Sequence, residues 1–199
     1  MLKSLRTTTA NAKSSEDFWL AVLDTFDLNT SDTPFGATYE IKENNDNEAV
    51  LMGSRGIPNG HAIAPRILIM AEYTGVFGDA IRDARRSKRT VQKHNLLENE
   101  AMFGVARRGF KLPCKSAVVI PIPSSRHPER IEAFIILGIN PKRSLDSDYQ
   151  VWIDQIQSNI ALELLQSGSD CAWRSVYIYL PAVLSWPLLP LSLLCEWLQ

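Results

Sequence analysis

The chain has 199 residues, with 21 lysines and arginines against 22 aspartates and glutamates, room for one domain with a real core and a tail. The formal net charge of -1 supplies no broad basic field, which argues against a nucleic-acid binder, and the 45% hydrophobic and 22% charged fractions are those of an ordinary soluble globular protein. Cys114, Cys171 and Cys195 are far apart and form no CxxC pair, so neither a zinc site nor a disulfide framework is signalled, and a reducing, cytoplasmic setting fits.

Residues 1–13 are polar and Thr-rich, lack the apolar run of a secretory signal, and read as a flexible N-terminal arm. Ser14 and Ser15 then precede Glu16 and Asp17, an N-cap followed by acids, and Phe18, Trp19, Val22, Leu23 and Phe26 share one helical face. The helix is predicted to stop in Asn29 to Pro34, where short polar side chains compete for the backbone and proline cannot continue the ladder.

Gly36 to Ile41 and Ala49 to Ser54 are apolar runs across the polar stretch Lys42 to Glu48, which predicts a β-hairpin. Ala117 to Ile122 and Ile131 to Ile139 predict a second, joined through Pro123 to Pro128. The unbroken Val-Val-Ile and Phe-Ile-Ile-Leu cores are what strands covered on both faces require. Between the hairpins, Arg55 to Arg108 reads as a long irregular insertion with a loop at Gly56 to Gly60 and a short helix over Asp79 to Lys88. From Asp146, Tyr149, Trp152, Ile153, Ile156, Ile160 and Leu164 recur at intervals of three and four, a second long helix. Helix, two strands, insertion, two strands, helix makes an α+β domain over residues 14–166, an antiparallel sheet flanked by its N- and C-terminal helices.

Several phrases together resemble one family. Phe18-Trp19, Asp32-Thr33-Pro34-Phe35, Gly56-Ile57-Pro58-Asn59-Gly60-His61, Arg108-Gly109-Phe110 with Pro113-Cys114-Lys115, and above all Leu137-Gly138-Ile139-Asn140-Pro141-Lys142-Arg143 before Asp148-Tyr149 are similar to the GAF-like segment of fungal hybrid histidine kinases. The resemblance spans about Phe18 to Gln166. It implies a GAF-like fold and a cytoplasmic sensory module of a two-component phosphorelay protein, upstream of a dimerising helix, a phosphoacceptor histidine, an ATP-binding domain and a receiver domain. None of those parts is recognisable in this chain, so no catalytic residue is carried over. A small-molecule ligand, a homodimer through the terminal helices, and histidine-kinase or receiver domains are the partners it implies. The competing reading is a stand-alone interaction protein that dimerises with, or inhibits, a full-length histidine kinase.

His61, His94 and His127 are widely spaced in loops and lack metal-ligand spacing, so no metal is expected, and none has the sequence context of a phosphoacceptor histidine. Cys114, between Lys111 and Lys115, is a candidate reactive thiol, but GAF-type sulfoxide reductases use several cysteines, bilin-binding GAF photoreceptors have other surroundings, and a packed cysteine at a strand edge is the better reading. Arg82 to Arg89 is a basic run that suits a phosphate or an anionic partner, though a solvated helix face is the commoner explanation of such a run and no aromatics interleave for base stacking. Gly53, Gly56 and Gly60 form neither GxGxxG nor a phosphate loop, so no cofactor is expected. A pocket is expected between sheet and insertion, with Tyr39, Arg55, His61 and Arg108 near it.

After Gln166 the pattern breaks. Ser167 to Asp170 reads as a helix breaker, and Val176 to Cys195 is an apolar stretch holding Pro181, Pro187 and Pro190. Residues 167–199 have three readings: a gene-model or splicing artefact replacing the linker that the resemblance implies, a membrane anchor of about 20 apolar residues that the prolines disfavour, or a segment folded back on the sheet.

Overall fold

The computed structural model describes the backbone of residues 2–124, 127 and 129–183, with side chains described from residue 5 to 166 of that span. The chain divides into two compact units, Met1–Leu165 and Gln166–Gln199. The first holds a six-stranded antiparallel sheet.

Residues 2–9 form a helix, α1 (Leu2–Thr9), where a flexible arm was expected. Threonine is a poor helix former, which hid it. Burial of Leu5 and Thr9 stabilises it, Thr9 Oγ1 donates back to the Leu5 carbonyl at 2.9 Å, and the Thr8 hydroxyl meets that of Thr25 at 3.1 Å. Helix α2 (Ser15–Asp27) begins on the expected cap, the Asp17 N–H donating to Ser14 Oγ at 3.0 Å. Its apolar stripe is fully inside, with Phe18 edge-on to Trp19 at 5.2 Å. Thr33 closes the turn after it, its hydroxyl donating to the carbonyls of Phe26 at 2.8 Å and Asn29 at 2.9 Å, which also accept backbone N–H groups of residues 29, 32 and 33.

The hairpins are β1 (Gly36–Lys42) with β2 (Asn45–Arg55) and β5 (Ala117–Pro123) with β6 (Ile131–Gly138). Strand β2 begins earlier than predicted, taking in the polar residues Asn45 to Glu48. The insertion is more ordered than its composition suggests. It supplies β3 (Ile67–Ile69), α3 (Gly78–Ser87), β4 (Val91–Lys93) and two short 3-10 turns. The strand order is β3-β2-β1-β6-β5-β4, so the two sequence-legible hairpins make the centre and the insertion's three-residue strands make both edges. Ser125, Arg126 and Pro128 of the β5–β6 connection lie outside the described residues.

Alternate residues of the central strands go to opposite layers, as two covered faces require. Val118, Ile120, Ile122, Ile135 and Leu137 face α2 and the C-terminal helix α4 (Ser147–Val183) together with Trp19, Tyr149, Ile153, Ile156 and Ile160. Ala117, Val119, Phe134 and Ile136 face the insertion, packed with Phe35, Tyr39, Phe77, Ile81 and Leu96.

Helix α4 runs through Ser167 to Asp170, where a break was expected. One interior glycine costs a helix only about 1 kcal/mol, so Gly168 does not end it. The second unit therefore contains the last part of α4. The apolar stretch from Val176 has no described side chains, and its end, residues 184–199, lies outside the described residues. Among those described, no helix is long and apolar enough to cross a membrane.

Candidate functional site

The loop between α2 and β1, residues 28–35, is where the insertion and the start of α4 meet. Asp32 is its hub. Its Oδ2 accepts from Asn29 Nδ2 at 2.6 Å, its Oδ1 accepts from Asn140 Nδ2 at 2.9 Å, and its backbone carbonyl accepts from the Tyr149 hydroxyl at 2.9 Å. Asn140 Oδ1 in turn accepts the Lys142 N–H at 2.8 Å, shaping the turn after β6. Burial pushes the Tyr149 phenol above its ordinary range, and the nearby Asp32 carboxylate adds to that, so Tyr149 remains a hydrogen-bond donor. Asp146 caps α4 by accepting the Tyr149 N–H at 2.8 Å, a bond that holds its carboxyl below the usual range, helped by Arg143.

Arg108, the last residue of the insertion, and the two residues after it dock on this loop and its neighbours. Arg108 pairs with Asp27 at the end of α2. Gly109, at φ +66°, lies so close to the backbone of Thr30 and Ser31 that a Cβ there would sit 2.5 Å from Ser31 Cα. The Phe110 ring carries the Lys142 ammonium 4.3 Å above its centroid. Gly56, at φ +71°, makes a parallel approach from the end of β2, 2.5 Å from a virtual Cβ to the Pro34 carbonyl oxygen.

The four residues expected near a pocket divide. Arg55 donates through Nε at 3.0 Å and Nη2 at 2.5 Å to Asp24, and Arg108 pairs with Asp27, so both guanidiniums are held by acids three residues apart on α2. Tyr39 is buried under the insertion and its hydroxyl donates to the Pro65 carbonyl at 3.1 Å. Burial, with a lesser contribution from Tyr73, raises its pKa. His61 bridges the insertion: Nε2 is 2.9 Å from the Phe103 carbonyl, which can only accept, and Nδ1 accepts the Ile63 N–H at 3.4 Å. Those two bonds require the neutral tautomer with its hydrogen on Nε2.

The layer below the insertion is filled with side chains, Phe35 and Phe77 among them with ring centroids 6.3 Å apart. The Tyr73 hydroxyl is buried there without a hydrogen-bond partner, and burial pushes its pKa up to about 12; the Thr90 hydroxyl of the insertion is likewise buried and unpartnered. Close to that ring, Gly75 leaves no room for a Cβ, which would fall 2.3 Å from the phenol oxygen. An open groove elsewhere is lined by residues 43–47 of the first hairpin's turn with Arg85 and Arg130, and none of the four expected residues lines it.

Cys114 is buried, with its Sγ 3.0 Å from the Ser116 carbonyl and 3.1 Å from that of Ile139. Burial drives its pKa from 9.0 up to about 11, against the pull of those bonds, so the packed reading holds and the flanking lysines do not activate the thiol. The folded state keeps the proton longer than the unfolded state, so this group's contribution is complete below pH 9 and is lost as pH rises toward 11. The urea midpoint should fall across that window, less steeply in Cys114→Ala, and brief iodoacetamide treatment at neutral pH should leave Cys114 unlabelled in the folded chain. Rapid labelling there would overturn this assignment. His94 is exposed and His127 faces Glu129 at 3.7 Å. No cluster of metal-ligating side chains occurs among the described residues.

No protein-family model and no curated protein matches the sequence. Solved structures do match the fold. The GAF domain of an Acinetobacter phosphoenolpyruvate-protein phosphotransferase has a TM-score of 0.58 at 10% identity over 86% of this chain and 94% of that one. Residues 122 to 287 of a methyl-accepting chemotaxis protein have a TM-score of 0.58 at 9% identity over 82% of this chain and 96% of that fragment. The free methionine-R-sulfoxide reductase of Neisseria meningitidis, in complex with its substrate, has a TM-score of 0.57 at 13% identity over 85% and 89%. The fold is GAF-like, α+β with a six-stranded antiparallel sheet. Such folds serve in regulatory proteins and in at least one enzyme.

The residues that sequence reasoning missed are Asp32, Asn140 and Tyr149 as a bonded set and Gly109 as a contact. All four stand inside the phrases that carry the family resemblance, but spacing along the chain gives no sign that Asp32 and Tyr149, 117 positions apart, are bonded.

Proposed function

We propose that this chain is the sensory or regulatory module of a fungal two-component phosphorelay histidine kinase, acting in the cytoplasm without chemistry of its own. The observation that carries this is the docking of Arg108-Gly109-Phe110 on Asp27, Ser31 and Lys142, beside the Asp32 bonds to Asn140 and Tyr149. A small molecule favouring one arrangement of the insertion biases that contact, and the contact biases the start of α4. Tyr39 and His61 lie on the ligand side; Arg55 and Arg108 hold α2. The burial of Cys114 and its raised pKa support a role without thiol chemistry, unlike the sulfoxide reductases that share the fold.

The test is hydrogen exchange with a small molecule found to raise the melting temperature of the full chain. Binding should change amide exchange at residues 149–153 in the native protein, and by several-fold less in Phe110→Ala. A ligand that stabilises the insertion and leaves those amides unmoved would end the transmission reading.

Val151 and Leu162 favour the second reading, pairing through α4 with another copy or with a full-length histidine kinase. They lie on one helical face and are 55% and 50% exposed. A monomer by sedimentation at micromolar concentration, with no capture of a kinase, would exclude it.

A further inference from the structure

Strand β4 ends the sheet. Val91, Gln92 and Lys93 pair with Val119, Val118 and Ala117 of β5 on one side only, and no backbone hydrogen bond from outside the sheet reaches them among the described residues. The other side of the strand therefore offers N–H and C=O groups without backbone partners.

The charge around this edge is one-sided. Residues 82–93 carry six cationic side chains against one acidic one in a chain whose net charge is -1. Helix α3 neutralises part of that internally, Arg82 with Asp79 and Arg86 with Asp83, and Arg85 turns to the groove by the first hairpin. Lys88, Arg89 and Lys93 have no ion pair among the described residues. Lys88 caps α3 in the left-handed conformation at φ 56°, a turn that brings the chain from helix to strand with Lys88 and Arg89 both exposed. The cations therefore bracket the open edge.

We propose that this edge is a docking surface for an extended acidic segment of a partner protein, which adds to the sheet as a further strand beside β4. Three considerations select that partner. A second copy of the chain would bring the same cations against these, and like charges across an edge are how sheets avoid self-pairing. A nucleic-acid backbone offers phosphate acceptors only, and no aromatic side chain interleaves with the cations to stack bases, whereas a polypeptide supplies both the donors and the acceptors that a strand edge needs. Acidic side chains on that polypeptide reach Lys88, Arg89 and Lys93, so main-chain bonds give affinity and charge selects the partner.

The experiment uses the full chain and a fluorescein-labelled ten-residue peptide alternating Glu and Val, read by anisotropy at about 50 mM salt, where surface charges are weakly screened. Binding is expected to weaken at least tenfold in K88E/R89E/K93E, to weaken on raising the salt, and to be lost when prolines replace alternate peptide residues. Amides of residues 91–93 should gain exchange protection in the complex. No binding at about 1 mM peptide, equal binding of the proline peptide, or an unchanged affinity in the triple variant would overturn the proposal. Tighter binding of heparin or of anionic phospholipid vesicles, competed by no acidic peptide, would also overturn it and assign the cations to those surfaces. Melting temperature and circular dichroism of the triple variant, expected unchanged, separate lost docking from lost folding.

Discussion

Trp19→Ala should destabilise the domain by about 3–5 kcal/mol, a large share of the roughly 5–15 kcal/mol that hold a domain together. Trp19 is 0% exposed, and it packs edge-on against Phe18 at the point where α2 lies over the central strands. Removing the indole leaves a cavity that the sheet below cannot collapse into, because β1 and β6 are held in register on both sides. Trp19→Phe separates packing from polarity. The indole Nε1 is buried with no hydrogen-bond partner, so replacing it forfeits volume but no bond, and the cost should stay below about 2 kcal/mol. Urea unfolding followed by far-ultraviolet circular dichroism gives both values. Equal losses in the two variants would mean that the part of the indole beyond a phenyl ring, N–H included, supplies the stability, and not aromatic packing as such.

The elements legible in the sequence were those whose own residues decide them. The Ser14 cap and the stripe from Phe18 to Phe26 specify α2 locally, and continuous apolar runs mark β5 and β6 because both faces are covered. The misses share another cause. Helix α1 depends on Leu5 being buried against distant residues, and its threonines argue the other way. Strands β3 and β4 are three residues long, too short for any alternation to show, and exist because β2 and β5 offer them an edge. At Ser167 to Asp170 the composition signalled a break, yet helical backbone persists.

The candidate site was legible as a set of residues and illegible as an arrangement. Asp32, Arg108-Gly109-Phe110, Asn140 and Tyr149 all stand in the phrases that carry the resemblance. What was out of reach was that they converge. Arg55 and Arg108 were placed near a pocket from their order along the chain, at the two ends of the insertion; the acids that engage them, Asp24 and Asp27, sit on α2 at positions that look like an ordinary solvated helix face. Periodicity reports which face of an element is apolar, and it is silent about which polar residue on another element will answer a charge.

Gly109→Val is the substitution that tests whether this convergence transmits anything. The residue sits at φ +66°, where a β-branched side chain is strained, and its Cβ would meet Thr30 and Ser31 backbone atoms at 2.5 to 2.8 Å, none of which can rotate away. A loss of at least about 2 kcal/mol is expected from strain and displacement together. The larger effect should be local. Pushing residue 109 off the loop pulls Arg108 from Asp27 and Phe110 from Lys142, so the insertion should lose exchange protection first. If the loop relays that change through Asp32, amides at the start of α4, near the Tyr149 hydrogen bond, should lose protection as well, while those of β5 and β6 keep theirs. Loosening confined to residues 95–113, with α4 as protected as in the native chain, would show that Asp32, Asn140 and Tyr149 hold the helix independently of the insertion, and the docking would then be a matter of stability alone.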